Sequence, residues 1–289
     1  MKAASVNDDF QLISTRVHVV ADSGDALGTG FFYHQLGPKD PAKETQWRMI
    51  QNLWLITNRH VALPRREGKE LLPVSLTFFL RRTNADGALT WHPITLDRAT
   101  LLKRLRLHSN PVVDVAAVDV LDLVKAELKA RTDLLQFRSV GREFFAGENK
   151  ISIEVADDVI VIGYPRDFYD QANLYPVVKA GIIATKWGAN FNGQPRFLID
   201  AKLFPGSSGS LVVSKPQNFA LEDGQFFTSE RKHYAFLGVL SSAKLIKPPP
   251  VELENLIVQE KLGYDLAEVW YATVVEEIVQ SGVTVPVPP

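Results

Sequence analysis

Short apolar runs separated by turn-forming residues recur along the whole chain, the pattern of strands rather than of long helices. Residues 14–20 (Ser-Thr-Arg-Val-His-Val-Val) alternate and are β-branched, and residues 28–33 (Gly-Thr-Gly-Phe-Phe-Tyr) lead into an aromatic strand. The intervening Ala21-Asp22-Ser23-Gly24-Asp25 has turn chemistry, which predicts a hairpin. Residues 34–46 are polar with two prolines and read as a surface loop. A strand over 47–56 ends at Thr57-Asn58-Arg59-His60, so His60 is expected where an apolar strand stops. Strands follow over 74–80 and 89–94, joined by a turn at Asn84-Ala85-Asp86-Gly87. Residues 111–120 form a further apolar run, interrupted by Asp114 and Asp119.

Residues 121–137 change period, with Leu121, Val124, Leu128, Leu134 and Leu135 spaced as on a helix; this predicts a helical connector on the surface between two halves. The strand rhythm then resumes over 158–165, 176–184 and 197–200, and again over 234–242. Residues 215–232 read as a surface loop. Residues 269–279 have helical spacing and would close the fold. The predicted architecture is all-β: two packed antiparallel barrels over residues 10–125 and 146–283, with a connector over 126–145 and a C-terminal helix. No repeat of 20–50 residues appears, which excludes a solenoid.

Composition narrows the function classes. Basic and acidic side chains nearly cancel, 32 against 33. No basic field is available to hold nucleic acid or an anionic membrane. No apolar run is long enough to span a bilayer, and residues 1–9 lack the apolar core of a signal peptide. The absence of cysteine removes disulfides, thiol nucleophiles and thiolate metal sites together. A cytoplasmic protein is expected. The six histidines show no metal-ligating spacing, and neither a metal nor another cofactor is expected.

The stretch carrying the chemistry is Phe204-Pro205-Gly206-Ser207-Ser208-Gly209-Ser210-Leu211-Val212-Val213. A flexible Gly/Ser linker would not run directly into a buried strand. Glycines at 206 and 209 let the backbone turn tightly and approach a ligand. Two backbone N–H groups near one serine are what an oxyanion hole requires. Asp114, embedded in an apolar run, needs a partner. Asp119 lies an odd number of residues away, hence on the opposite face of a continuous strand, so only one of the two is expected to be the functional acid. Asp114 is the better candidate because it opens the Asp-Val-Ala segment rather than closing the strand.

His60, Asp114 and Ser208, in that order over two strand-rich halves, resemble the trypsin/chymotrypsin-fold serine proteases, in particular their cysteine-free bacterial-type members. The resemblance spans roughly residues 12–280. It rests on Gly28-Thr29-Gly30-Phe31, Leu55-Ile56-Thr57-Asn58-Arg59-His60-Val61, Asp114-Val115-Ala116, Gly163-Tyr164-Pro165, Val178-Lys179-Ala180-Gly181-Ile182-Ile183 and the serine turn. It implies a serine endopeptidase in which Ser208 is the nucleophile, His60 the general base and acid, and Asp114 the residue orienting the imidazole. It places the oxyanion hole at the N–H groups of Gly206 and Ser208. Ser241 and Ser242 would lie on the strand that pairs with an extended polypeptide substrate, and Lys202 at the base of the primary specificity pocket. Two positions depart from the family turn. Ser207 stands where an Asn or Asp is usual, so activation by a freed N-terminus is not expected. Ser210 stands where a glycine is usual.

Rival readings meet specific objections. An α/β-hydrolase would need Gly-x-Ser-x-Gly and a catalytic histidine after the serine, but Ser210 breaks that motif. A phosphate loop would need a lysine and a helix directly after the turn, where Leu211-Val212-Val213 stands. The alternative that survives is a catalytically inactive module of the same fold used for binding or as a scaffold. The segments 34–46 and 215–232 are where a regulatory protein partner could bind.

Overall fold

Val17 and Val19 point inward from the strand Ser14–Ala21 and are fully buried, which is why that alternating segment lies on a core. In this computed structural model, which describes residues 6–22, 24–38, 48–130, 135–149, 151–222, 225–246, 251–253, 256–258 and 262–285, two β-structures pack face to face. The first is a nine-stranded antiparallel sheet. Its path runs from Leu135–Gln136 through Ser75–Thr83, Ser14–Ala21, Gly24–Leu36, Ile50–Thr57, Ala116–Asp119 and Leu105–Leu107 to Val283–Thr284, with Leu89–Asp97 also paired to Ser75–Thr83. The hairpin at the first turn forms as expected, Ser14 pairing with Phe31 and Ala21 with Gly24.

The all-β expectation holds, and only the second half closes completely. Its six strands run in the order Asp158–Gly163, Val177–Ile183, Arg196–Asp200, Leu262–Tyr271, Phe236–Ile246 and Leu211–Ser214, the last pairing back to the first. The first sheet's hydrogen-bonding path stays open because a helix, Arg98–Arg104, stands between Leu89–Asp97 and Leu105–Leu107. Asp97 caps that helix by accepting the Thr100 N–H at 2.7 Å, and Leu101 and Leu102 fill the sheet's core.

Several segments differ from expectation. Within 121–137 the described helix is Leu121–Ala130, which packs Val124 into the first lobe's core, and Leu135–Gln136 is a strand pairing with Ser75–Thr83. This stretch is therefore part of the first lobe rather than a surface connector between the halves, because its apolar face has a core to cover. Residues 215–232 are a hairpin, Gln217–Glu222 against Gln225–His233, not an irregular loop. The 34–46 segment begins as strand through Leu36, and residues 39–47 lie outside the described ones.

A cluster between the two halves joins them. Phe31, Ile56, Val113 and Val115 of the first lobe meet Ile162, Leu211, Val213 and Phe236 of the barrel. Phe31 and Phe236 meet edge-on, with ring centroids 5.4 Å apart. Burying each such side chain contributes about 1.5–3 kcal/mol, which favours the two halves staying packed together. The C-terminal helix Ala272–Ser281 buries Val274, Val275 and Ile278 in the same cluster. The chain then adds Val283–Thr284 to Leu105–Leu107, strapping the barrel's end to the first sheet.

Candidate active site

The strand Ile50–Thr57 delivers the histidine, but His60 stands three residues beyond its end, in the short helix Arg59–Ala62. The fully buried Val113 and Val115 anchor the segment ahead of the strand Ala116–Asp119 and hold Asp114 between them. Asp114 faces His60 twice. Its Oδ1 accepts the His60 backbone N–H at 2.9 Å, and its Oδ2 meets the ring Nδ1 at 2.7 Å. The Asn58 amide also donates to the Asp114 carbonyl at 2.7 Å, so side chain and backbone are clamped together. Asp119 is elsewhere, accepting the Leu121 N–H at the start of the helix Leu121–Ala130.

Ser241 completes the arrangement in a way the sequence did not suggest. It is 4% exposed; its hydroxyl donates to Asp114 Oδ2 at 2.6 Å, and its carbonyl accepts from Ser208 Oγ at 3.0 Å. Burial pushes the Asp114 carboxyl up; the hydrogen bond and charge of His60, with the Ser241 hydroxyl and the His60 N–H, outweigh that and hold it below its ordinary range. Asp114 is thus the ionised partner of an imidazole whose Nε2 has no partner among the described residues.

The serine turn is a backbone cradle. Gly206 and Gly209 have φ of +88° and +84°, the left-handed region that glycine adopts without strain. A Cβ on Gly209 would lie 2.1 Å from the Thr29 carbonyl, and one on Gly206 would lie 2.6 Å from the Arg166 nitrogen. The Arg166 N–H donates to the Pro205 carbonyl at 2.7 Å, and the Ser210 N–H to the Ser207 carbonyl at 3.0 Å. In a planar trans peptide the N–H points opposite to the C=O, so these two bonds fix the directions of the Gly206 and Ser208 N–H groups. Neither N–H has a partner among the described residues.

Thr29, fully buried in the Gly28-Thr29-Gly30 segment, holds this turn from the first lobe. Its N–H donates to the Ser208 carbonyl at 2.9 Å, and its hydroxyl donates to the Gly206 carbonyl at 3.0 Å while accepting the Tyr164 N–H at 2.9 Å. The segment is legible as a motif, but only the fold shows what the threonine hydroxyl touches. The Ser210 side chain is accommodated opposite Gly163, where a Cβ would lie 2.0 Å from Ser210 Oγ. Lys202 is exposed. Ser242 is also exposed, and its hydroxyl reaches Glu268 at 3.3 Å.

Among the described residues no group of His, Asp or Glu is arranged to hold a metal ion, and no helix is long and apolar enough to cross a membrane. The lobes, with a histidine–aspartate pair on one and a glycine-flanked serine turn on the other, have the trypsin-like form. The chain belongs to the trypsin-like peptidase domain family, which it matches over residues 28–219. No curated protein matches the sequence. Among solved structures, it is similar to the Rv3671c protease of M. tuberculosis H37Rv in an inactive form, at 16% identity and a TM-score of 0.42, covering 95% of this chain and 90% of that one. A serine-to-alanine mutant of Rv3671c, also in an inactive form, gives 15% identity and a TM-score of 0.43, covering 95% of this chain and 88% of that one. Catalytically active tobacco etch virus protease complexed with product gives 10% identity and a TM-score of 0.43 over 84% of this chain and 73% of that one.

Proposed function

We propose that the protein is a serine endopeptidase that cleaves polypeptides through an acyl-enzyme. The observation that carries this is the His60–Asp114 pair, Nδ1 to Oδ2 at 2.7 Å with the His60 N–H on Oδ1 at 2.9 Å, which orients the ring and leaves Nε2 without a partner among the described residues. Ser208 Oγ attacks the scissile carbonyl carbon while His60 Nε2 takes its proton. The C–N bond then breaks, and His60 returns the proton to the leaving amine. Water repeats the sequence on the ester and frees the acid. Asp114 keeps the Nδ1–H tautomer and stabilises the imidazolium. The Gly206 and Ser208 N–H groups would receive the oxyanion. An extended substrate would pair with the strand that carries Ser241 and Ser242.

One observation favours the inactive-module alternative: Ser208 Oγ donates to the Ser241 carbonyl rather than to His60. Turnover requires the hydroxyl to exchange that carbonyl for Nε2. Fluorophosphonate labelling decides between the readings. Wild type should form a covalent adduct that is absent in Ser208→Ala, on the full-length chain without N-terminal trimming, because Ser207 carries no charge to receive a new N-terminus. Absence of any wild-type adduct would leave the binding module as the reading.

A further inference from the structure

We infer that the ion pair Arg16–Asp167 is a positioning device for the Gly206 N–H, in place of the acid that Ser207 lacks; this rests on the oxyanion role proposed above. Arg16 lies on the strand Ser14–Ala21 of the first lobe, directly across the ladder from Thr29. Its guanidinium is enclosed by the rings of Phe79, Trp91 and Tyr169, at 5.0, 5.8 and 5.0 Å from their centroids. From this cage it grips Asp167 bidentately, Nε to Oδ1 at 2.5 Å and Nη2 to Oδ2 at 2.6 Å. The grip spans both halves of the molecule, since Asp167 follows the barrel strand Asp158–Gly163.

What the pair holds is an unfavourable backbone. Arg166 and Asp167 are both left-handed, with φ of +50° and +57°, a conformation that L-residues avoid in succession. A backbone of this kind persists only where its surroundings impose it. The Asp167 side chain is fixed by Arg16, and the turn carrying it places the Arg166 N–H on the Pro205 carbonyl. Gly206 packs directly on that turn, as the 2.6 Å approach of a hypothetical Cβ to the Arg166 nitrogen shows. Without the Arg166 anchor, the Pro205–Gly206 peptide is free to rotate about a glycine, and its N–H no longer has a fixed direction. The opposite rung residue, Thr29, holds the next carbonyl, that of Gly206. One rung of the first lobe's hairpin therefore supports two consecutive peptides of the serine turn.

The test compares Asp167→Asn and Arg16→Gln with wild type, and with Asp122→Asn, which breaks the bidentate pair with Arg104 at 2.6 and 2.8 Å far from the turn. Three quantities are measured: the fluorophosphonate labelling rate of Ser208, kcat and KM on a peptide substrate, and amide hydrogen exchange at Arg166. Each variant of the pair should lower labelling and kcat by about 10- to 100-fold with KM within about 2-fold, as for a misaligned oxyanion donor. Exchange at Arg166 should accelerate by at least about 10-fold, and the double variant should be no worse than either single one. Asp122→Asn should change none of these. Unchanged exchange at Arg166, or unchanged kcat in a variant whose Arg166 exchange has accelerated, overturns the inference. If wild type proves unreactive, the proposed protease activity fails by itself, and Arg166 exchange still decides whether the pair holds the turn.

Discussion

Replacing Asp114 by asparagine tests the proposed mechanism at its most constrained point. The carboxylate accepts three hydrogen bonds: on Oδ1 from the His60 backbone N–H, and on Oδ2 from His60 Nδ1 and the Ser241 hydroxyl. An amide has one oxygen and must choose. A backbone N–H is a donor that cannot change role, whereas the Ser241 hydroxyl can turn and the imidazole can switch tautomer. The amide oxygen therefore takes the Oδ1 site, and the NH2 faces Nδ1. That forces the proton onto Nε2, the nitrogen required to receive the Ser208 proton. The imidazolium also loses a carboxylate at 2.7 Å. At an effective dielectric of ~20 this contact amounts to at most about 6 kcal/mol, and partial exposure of His60 reduces it. A loss of about 4–5 kcal/mol corresponds to about 10³- to 10⁴-fold in kcat. Peptide cleavage is the assay, with Asp119→Asn alongside; the latter should stay within about 2-fold, because an asparagine oxygen can still accept the Leu121 N–H. Asp114→Asn retaining more than about a tenth of wild-type kcat would refute the reasoning, as would equal damage from Asp119→Asn.

Thr29→Val keeps the shape but removes the hydroxyl that holds the Gly206 carbonyl and the Tyr164 N–H; kcat should fall by about 10-fold or more and Thr29→Ser should restore most of it, as read by peptide cleavage. Acid should destabilise the fold through Asp114 and through Glu143, whose burial raises its carboxyl while the His34 hydrogen bond and charge outweigh that and lower it. Because both ionise below their ordinary values of 3.8 and 4.5, the unfolded chain takes up protons first, so their contribution is complete above about pH 5 and is lost as pH falls through the depressed folded values. Melting temperature against pH should therefore drop less steeply in Glu143→Gln. Lys202→Ala should leave cleavage preference in a peptide library unchanged, since the side chain is exposed; a preference for Asp or Glu that vanishes in this variant would show that it faces the substrate.

The all-β architecture was legible in the sequence because strand alternation is local: Val17, Val19, Leu53 and Leu55 face one core whatever else the chain does. So were the candidate residues themselves, since a histidine after an apolar strand, an acid inside an apolar run and a serine between glycines are each unusual in their own segments. Closure was not local. Whether a sheet closes depends on what stands between its edges, and only the packed chain places the helix Arg98–Arg104 there. The return of Val283–Thr284 to the first sheet likewise depends on a pairing partner distant in sequence, Leu105–Leu107. The supports of the serine turn were hidden for the same reason. Thr29, Arg16 and Ser241 are ordinary strand residues by composition, and what distinguishes them is contact with Gly206, Asp167 and Asp114, more than 125 positions away in each case. Local periodicity determines which faces are buried; the direction of a hydroxyl or an amide N–H in the cleft is set by which distant backbone it meets, and tertiary packing alone decides that.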